Sequence, residues 1–147
     1  MHADVAELAV ALEELVRLFR RLNPAGGLSL TSAATLASLD REGPARLTEL
    51  ATQQGVSQPA MTQLVTRLQE AGLADRVADP ADGRVVRVHI TETGRAELAR
   101  RRTVRTARLD TLFDRLSADE RTALFAAVPA IGTLTRLAAE PHQGAAV

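Results

Sequence analysis

The strongest constraint on the fold is a change of hydrophobic period between residues 57 and 90. From Ser57 to about Ala71 the apolar residues Met61, Leu64, Val65 and Leu68 recur at helical spacing. Ser57 is a natural N-cap and Gly72 a natural stop. Then the period becomes two: Val86, Val88 and Ile90 alternate with Arg87 and His89, which predicts a strand, with Leu73–Val77 as its partner. Between them lies Asp79-Pro80-Ala81-Asp82-Gly83-Arg84, in which Asp82-Gly83 is a strong hairpin turn signal. Just upstream, a short helix over 48–53 meets the capped helix across Gln54-Gly55. The order is therefore helix, tight turn, helix, hairpin.

The rest of the chain reads as helix. Leu8, Leu12, Leu15, Val16, Phe19 and Leu22 form one stripe over residues 4–22, ended by Asn23, Pro24, Gly26 and Gly27. A second helix starts near Thr31, taken as its N-cap, carries Ala34, Leu36 and Leu39, and stops at Gly43-Pro44. Residues 92–115 suit one long helix. Ser117-Ala118-Asp119-Glu120 has the capping-box pattern and opens a last helix, which Pro129 should kink or break. Residues 141–147 read as a loose tail.

Composition narrows the chemistry. With no Cys, thiol redox sensing and thiolate zinc sites are excluded, and His2, His89 and His142 have no ligand spacing, so no metal and no cofactor is expected. No phosphate-binding glycine loop and no grouped His and carboxylates favour an enzyme. Acidic residues interrupt the N-terminal apolar pattern, so neither a signal peptide nor a membrane span is expected and the reading is cytoplasmic. Aromatics are only 2%, and Phe19, Phe113 and Phe125 all sit at core spacing. Every basic residue is Arg. Net charge is zero overall, but runs −2 over 1–45, +4 over 46–108 and −2 over 109–147. A basic middle between acidic ends fits one nucleic-acid-facing module.

Two helices joined by a Gly-containing turn form a helix-turn-helix, whose second helix can enter the DNA major groove. Such a helix needs short polar side chains facing out near its N-terminus. Ser57, Gln58, Pro59, Thr62, Gln63 and Thr66 lie there, with Thr48 on the supporting helix. Arg67 could bind phosphate or pair with Glu70. The run Arg100, Arg101, Arg102, Arg105 and Arg108 reads as a solvated helix face, with phosphate contact open to its earliest members. Apolar surface is in surplus: Leu8, Leu12, Leu112, Leu124, Val128, Ile131 and Leu134 exceed what a small helix-turn-helix module covers. A second copy of the chain would bury them.

The stretches Leu47-Thr48-Glu49-Leu50-Ala51, Gly55-Val56-Ser57-Gln58-Pro59-Ala60-Met61-Thr62 and Val65-Thr66-Arg67-Leu68-Gln69-Glu70-Ala71-Gly72-Leu73 resemble the multiple antibiotic resistance regulator (MarR) family. So do Arg76-Val77-Ala78-Asp79-Pro80-Ala81-Asp82-Gly83-Arg84 and Val88-His89-Ile90-Thr91-Glu92-Thr93-Gly94, its wing signature. The resemblance implies a single mainly α domain with a small β-hairpin: a winged helix-turn-helix over 30–92, with dimerisation helices over 1–23 and 93–140. It implies a homodimer on a palindromic double-stranded DNA operator, acting as a repressor released by a small aromatic or lipophilic effector, whose pocket would be lined by helices 1, 2 and 5. It makes Arg84 the wing arginine that enters the minor groove, and Asp82 the acid that orients it by charge-assisted hydrogen bonds. A winged helix can also serve protein contact alone. The Asp82/Arg84 wing argues against that use here.

Overall fold

The computed structural model describes residues 2–139, in the order α1 (His2–Leu22), α2 (Leu30–Glu42), α3 (Leu47–Gln54), α4 (Gln58–Glu70), β1 (Ala74–Ala78), β2 (Val86–Ile90), α5 (Glu92–Phe113) and α6 (Ala118–Ala139). The expected tail over 141–147 lies outside the described residues. The chain divides into two compact units, one through Arg108 and one from Leu109.

The first unit is built around α2, α3, α4 and the hairpin. Its core contains Leu36, Leu39, Leu50, Met61, Leu64, Val65, Leu68, Leu73, Val88 and Ile90, all buried. The four apolar positions of the 57–71 stripe are all among them. Burying each such side chain stabilises by about 1.5–3 kcal/mol, so the helix-turn-helix and the hairpin fold as one body.

Local signals set the boundaries, with two shifts from the sequence reading. The N-cap of α2 is Ser29, whose Oγ accepts from the Ser32 amide at 3.1 Å. Thr31 lies inside the helix, where its carbonyl accepts from Thr35 Oγ1 at 2.8 Å. The first strand begins at Ala74 because Leu73 is still engaged in ending α4. Gly72 adopts φ +70°, and the Leu73 amide donates to the Leu68 carbonyl at 2.9 Å. That is a Schellman closure, with Leu73 and Leu68 meeting in the core.

The strands pair antiparallel from Ala74↔Ile90 to Ala78↔Val86. Ala45, in the α2–α3 connection, adds a bridge to the far edge of β2: the Val88 amide donates to the Ala45 carbonyl at 2.8 Å, and the reverse bond is 3.2 Å. At the start of α5, Thr91 Oγ1 donates to the Gly72 carbonyl at 2.7 Å and accepts from the Gly94 amide at 3.0 Å. Gly94 is buried so closely that a Cβ there would lie 2.2 Å from the Leu73 carbonyl oxygen. Only glycine fits between hairpin and helix at this point.

In the second unit, Ser117 and Glu120 close the expected capping box. Glu120 Oε2 accepts from the Ser117 amide at 2.8 Å, and Ser117 Oγ accepts from the Glu120 amide at 3.2 Å. The bonds from Ser117 hold the Glu120 carboxyl below its ordinary range. Of the kink or break expected at Pro129, α6 shows no break: the helix runs through it to Ala139. Proline removes one amide donor, that of the bond to residue 125, and well-formed turns on both sides carry the helix across. Phe113 and Phe125 meet at a ring-centroid distance of 5.5 Å.

Aromatic core packing was expected at all three Phe residues. Phe125 is instead 65% exposed and Phe19 41%. The apolar faces of α1 and α6 are bare in the single chain. Leu8, Leu12, Leu112, Leu124, Val128, Ile131 and Leu134, the residues expected to need a second copy, are all exposed.

Candidate DNA interface

α3 and α4 are held at their turn by two local devices. Gly55 takes the left-handed conformation, φ 62° and ψ 33°, which ends α3. Ser57 then caps α4, its Oγ accepting from the Ala60 amide at 3.3 Å, with Pro59 in the first turn, where its missing amide costs nothing. Ser57, Gln58, Pro59, Thr62, Gln63 and Arg67 are all exposed on α4, as is Thr48 on α3. Ser57 spends its hydroxyl on the cap, and Thr62 Oγ1 donates back to the Gln58 carbonyl at 3.0 Å. Arg67 makes no ion pair with Glu70; its guanidinium has no hydrogen-bond or ion-pair partner among the described residues.

Thr66 differs from its neighbours. It is half-buried, and its Oγ1 donates to the Thr62 carbonyl at 2.9 Å while accepting from Arg76 Nη2 at 3.0 Å. No local sequence pattern marks Arg76. The one signal is positional: along β1 it shares the alternating face of the buried Ala74, so its side chain points toward the helices rather than away from them.

The wing tip is ordered by Asp79 as much as by Asp82. The Asp79 amide donates to the Val85 carbonyl at 2.7 Å. Its carboxylate accepts from the Ala81 amide at 2.9 Å and from Arg87 Nε at 2.6 Å. The Ala81 N–H first, and Arg87 second, hold the Asp79 carboxyl below the ordinary aspartate range. Asp82 accepts from the backbone amide of Arg84 at 3.0 Å. Asp82 thus acts on Arg84 through the main chain, fixing the backbone on which the arginine stands. The Arg84 side chain is exposed, with no protein partner among the described residues.

The arginines of α5 divide: Arg100, Arg102 and Arg108 are exposed, as the sequence suggests, whereas Arg101 is buried and Arg105 half-buried. Arg101 is 2% exposed and donates to the Leu28 carbonyl at 3.1 Å. Its Nη1 has no hydrogen-bond partner and lies 3.9 Å from Glu97 Oε1. The Arg105 guanidinium sits 4.6 Å from the centre of the Phe19 ring, and burial first, then Arg102 and Arg101, lowers its pKa. Arg108 Nη1 donates to the carbonyls of Arg21, Leu22 and Asn23, closing the C-terminus of α1. Arg100 is tied to Glu97 at 2.8 and 2.9 Å, which holds the Glu97 carboxyl low.

Behind α4 lies a cavity of about 740 Å³. Its walls come from the α1–α2 connection, α2, α4 and α5, among them Leu28, Ser32, Leu68, Ala71, Ala96 and Glu97. α2 and α5 are among the helices expected to line an effector pocket, α4 contributes here as well, and no aromatic side chain of the described residues lines the space.

A capped helix with outward Gln58 and Gln63, beside a hairpin tipped by an unpaired arginine, defines a winged helix-turn-helix DNA-binding protein. Comparison with known proteins agrees. The MarR family model matches residues 28–86. The uncharacterized HTH-type transcriptional regulator Mb0904 of Mycobacterium bovis is 36% identical over 112 residues, 76% of each chain. RV1404 from Mycobacterium tuberculosis superposes with a TM-score of 0.75 at 26% identity, covering 95% of this chain and 97% of that one. The PcaV transcriptional regulator from Streptomyces coelicolor, solved in complex with its natural ligand, superposes at 0.55 with 28% identity, covering 87% and 91%. The chain belongs to the MarR family of helix-turn-helix transcriptional regulators, which are not enzymes. Among the described residues no helix is long and apolar enough to cross a membrane.

Proposed function

We propose that the protein acts in the cytoplasm as a homodimeric repressor on a palindromic operator, released when a small aromatic or lipophilic effector occupies the cavity behind α4. The observation that carries this reading is the pairing of an outward, capped recognition helix with the exposed, unpaired Arg84. Gln58 and Gln63 offer both donors and acceptors to base edges in the major groove, and Arg84 suits the narrow, electronegative minor groove beside it. Arg67 is free to take a phosphate. The bare apolar faces of α1 and of α6, with Leu112, supply surface for a partner copy, and a dimer presents two recognition helices to two half-sites. The cavity is of a size that holds small organic ligands, and its wall includes the recognition helix itself, so an occupant would bear directly on the helix that reads DNA. That PcaV has been solved in complex with its natural ligand supports regulation by a bound ligand.

The test is selection of an operator from random-sequence duplexes, followed by binding measurements over a salt series. A twofold-symmetric selected site, bound far more tightly than random DNA, is the expected result. Binding that shows no sequence preference at any salt concentration would overturn the reading.

A further inference from the structure

We infer that Arg76 is the positioning residue that holds the recognition helix and the wing at one fixed angle, and that Thr66 serves this clamp rather than reading a base. The inference rests on the DNA-reading role proposed above. Arg76 Nη1 donates to Gln69 Oε1 at 2.8 Å, and Nη2 donates to Thr66 Oγ1 at 3.0 Å and to the Thr62 carbonyl at 3.2 Å. Residues 62, 66 and 69 stand four and three apart, on one flank of α4. That flank lies between the buried stripe of Met61, Leu64, Val65 and Leu68 and the outward side of Gln63 and Arg67. α4 thus divides its surface among the core, the wing, the outward side and, at Arg67, Leu68 and Ala71, the cavity behind it.

Among the described residues, Arg76 makes every side-chain hydrogen bond that joins the hairpin to α4. The apolar core beneath does not by itself fix the angle between them, because hydrophobic contact is non-directional. A planar guanidinium held by three acceptors does fix it. The clamp also extends sideways. Arg76 pairs with Val88 in the sheet, and Val88 pairs with Ala45, next to the start of α3. A base-edge bond from Gln63 and the insertion of Arg84 must be satisfied together, within a few tenths of an ångström and 10–20°. If helix and wing move independently, ordering them opposes specific binding, while phosphate contacts, which tolerate displacement, persist.

The experiment compares Arg76→Ala, Arg76→Lys and Thr66→Val in the full chain. For DNA, the readouts are affinity for the selected operator, affinity for random duplex, and salt slope. Arg76→Ala should lower the operator-to-random ratio by about tenfold, the scale of one lost base contact, with the salt slope unchanged. Arg76→Lys should not restore the ratio, since an ammonium cannot span three acceptors. Thr66→Val should lower it partway, and adding it to Arg76→Ala should change nothing further. Equal losses on operator and random DNA with a flatter salt slope would make Arg76 a phosphate contact and overturn the inference. Rescue by lysine, additive losses with Thr66→Val, or an unchanged ratio would overturn it too.

A second measurement needs no DNA. Residual dipolar couplings of the β1–β2 hairpin and of α4 should fit one alignment tensor in the unaltered protein and lose that common fit in Arg76→Ala. A common fit in both refutes the clamp whatever the protein binds. Failure to select any operator, with the clamp intact by couplings, would instead count against the DNA-reading proposal alone.

Discussion

Replacing Arg84 with Ala separates electrostatic DNA contact from every structural role. The side chain is exposed and has no protein partner among the described residues, so folding stability should change by no more than about 0.5 kcal/mol. A dimer carries two wings. Each neutralised phosphate contributes about 0.9 to the log–log salt slope, so losing two arginines should flatten that slope by roughly 1.8. Between 50 and 200 mM salt, a slope difference of that size amounts to roughly a twelvefold difference in affinity lost. Over this range the unaltered protein should therefore lose roughly twelve times more affinity than the variant, while binding more tightly throughout. Fluorescence anisotropy on the selected operator, at four or more salt concentrations, measures both quantities. Asp82→Ala acts through the backbone of Arg84, because its carboxylate holds the Arg84 amide and not the guanidinium. It should weaken binding less than Arg84→Ala and leave the slope nearly intact, and the double variant should be little worse than Arg84→Ala. An unchanged slope and affinity in Arg84→Ala, with the dimer intact by sedimentation, would remove the wing from the interface.

Three further outcomes follow from the geometry. Gly94→Ala forces a Cβ to 2.2 Å from the Leu73 carbonyl oxygen, so urea unfolding should show a loss of about 2–3 kcal/mol, and an unchanged midpoint would contradict the close approach. Asp79 has a folded pKa below its ordinary value, so its contribution to wing order is complete above the ordinary aspartate range and is lost as pH falls through the lowered value. An NMR titration of the Ala81 amide should therefore shift on acidification in the unaltered protein and stay flat in Asp79→Asn; equal shifts in both would refute the assignment. Ile131→Glu places a charge on a side chain that is 46% exposed in the single chain, so a loss of dimer in sedimentation would come from the partner contact, and a dimer unaffected at micromolar concentration would exclude this face of α6.

What was legible in the sequence was what is local. The cap at Ser57, the left-handed Gly55, the capping box at Ser117 and the buried stripe of α4 each depend on residues within one or two turns, and each is where the pattern put it. The start of α2 lies at Ser29 rather than Thr31 because two hydroxyl residues two positions apart can each cap it, and Ser29 takes the cap through the Ser32 amide. Phe19 and Phe125 were read as core from their spacing. Periodicity marks an apolar face but does not say whether that face is covered within the chain or by another molecule. Arg76, Arg101 and Arg108 were illegible for a different reason. An arginine reaches across several ångströms to a partner distant in sequence, so nothing beside it in the chain announces the contact.

That reach explains how a chain of zero net charge, with arginine as its only basic residue, presents a DNA-facing surface at all. Counting charge treats every arginine as equivalent, but the structure divides them. Arg101 is buried, Arg105 lies over Phe19 and Arg108 holds the end of α1, while Arg76 ties the hairpin to α4 and Arg87 braces the wing internally through Asp79. These serve architecture, and their charge is largely answered by carbonyls, hydroxyls, an aromatic ring or Asp79. Arg67 and Arg84 have no such partner among the described residues, and both stand exposed on the recognition helix and the wing proposed to face DNA. A guanidinium suits both uses because it is planar, permanently charged and able to donate several hydrogen bonds in fixed directions. Lysine would serve the outward pair tolerably as a point charge, but could not clamp three acceptors as Arg76 does.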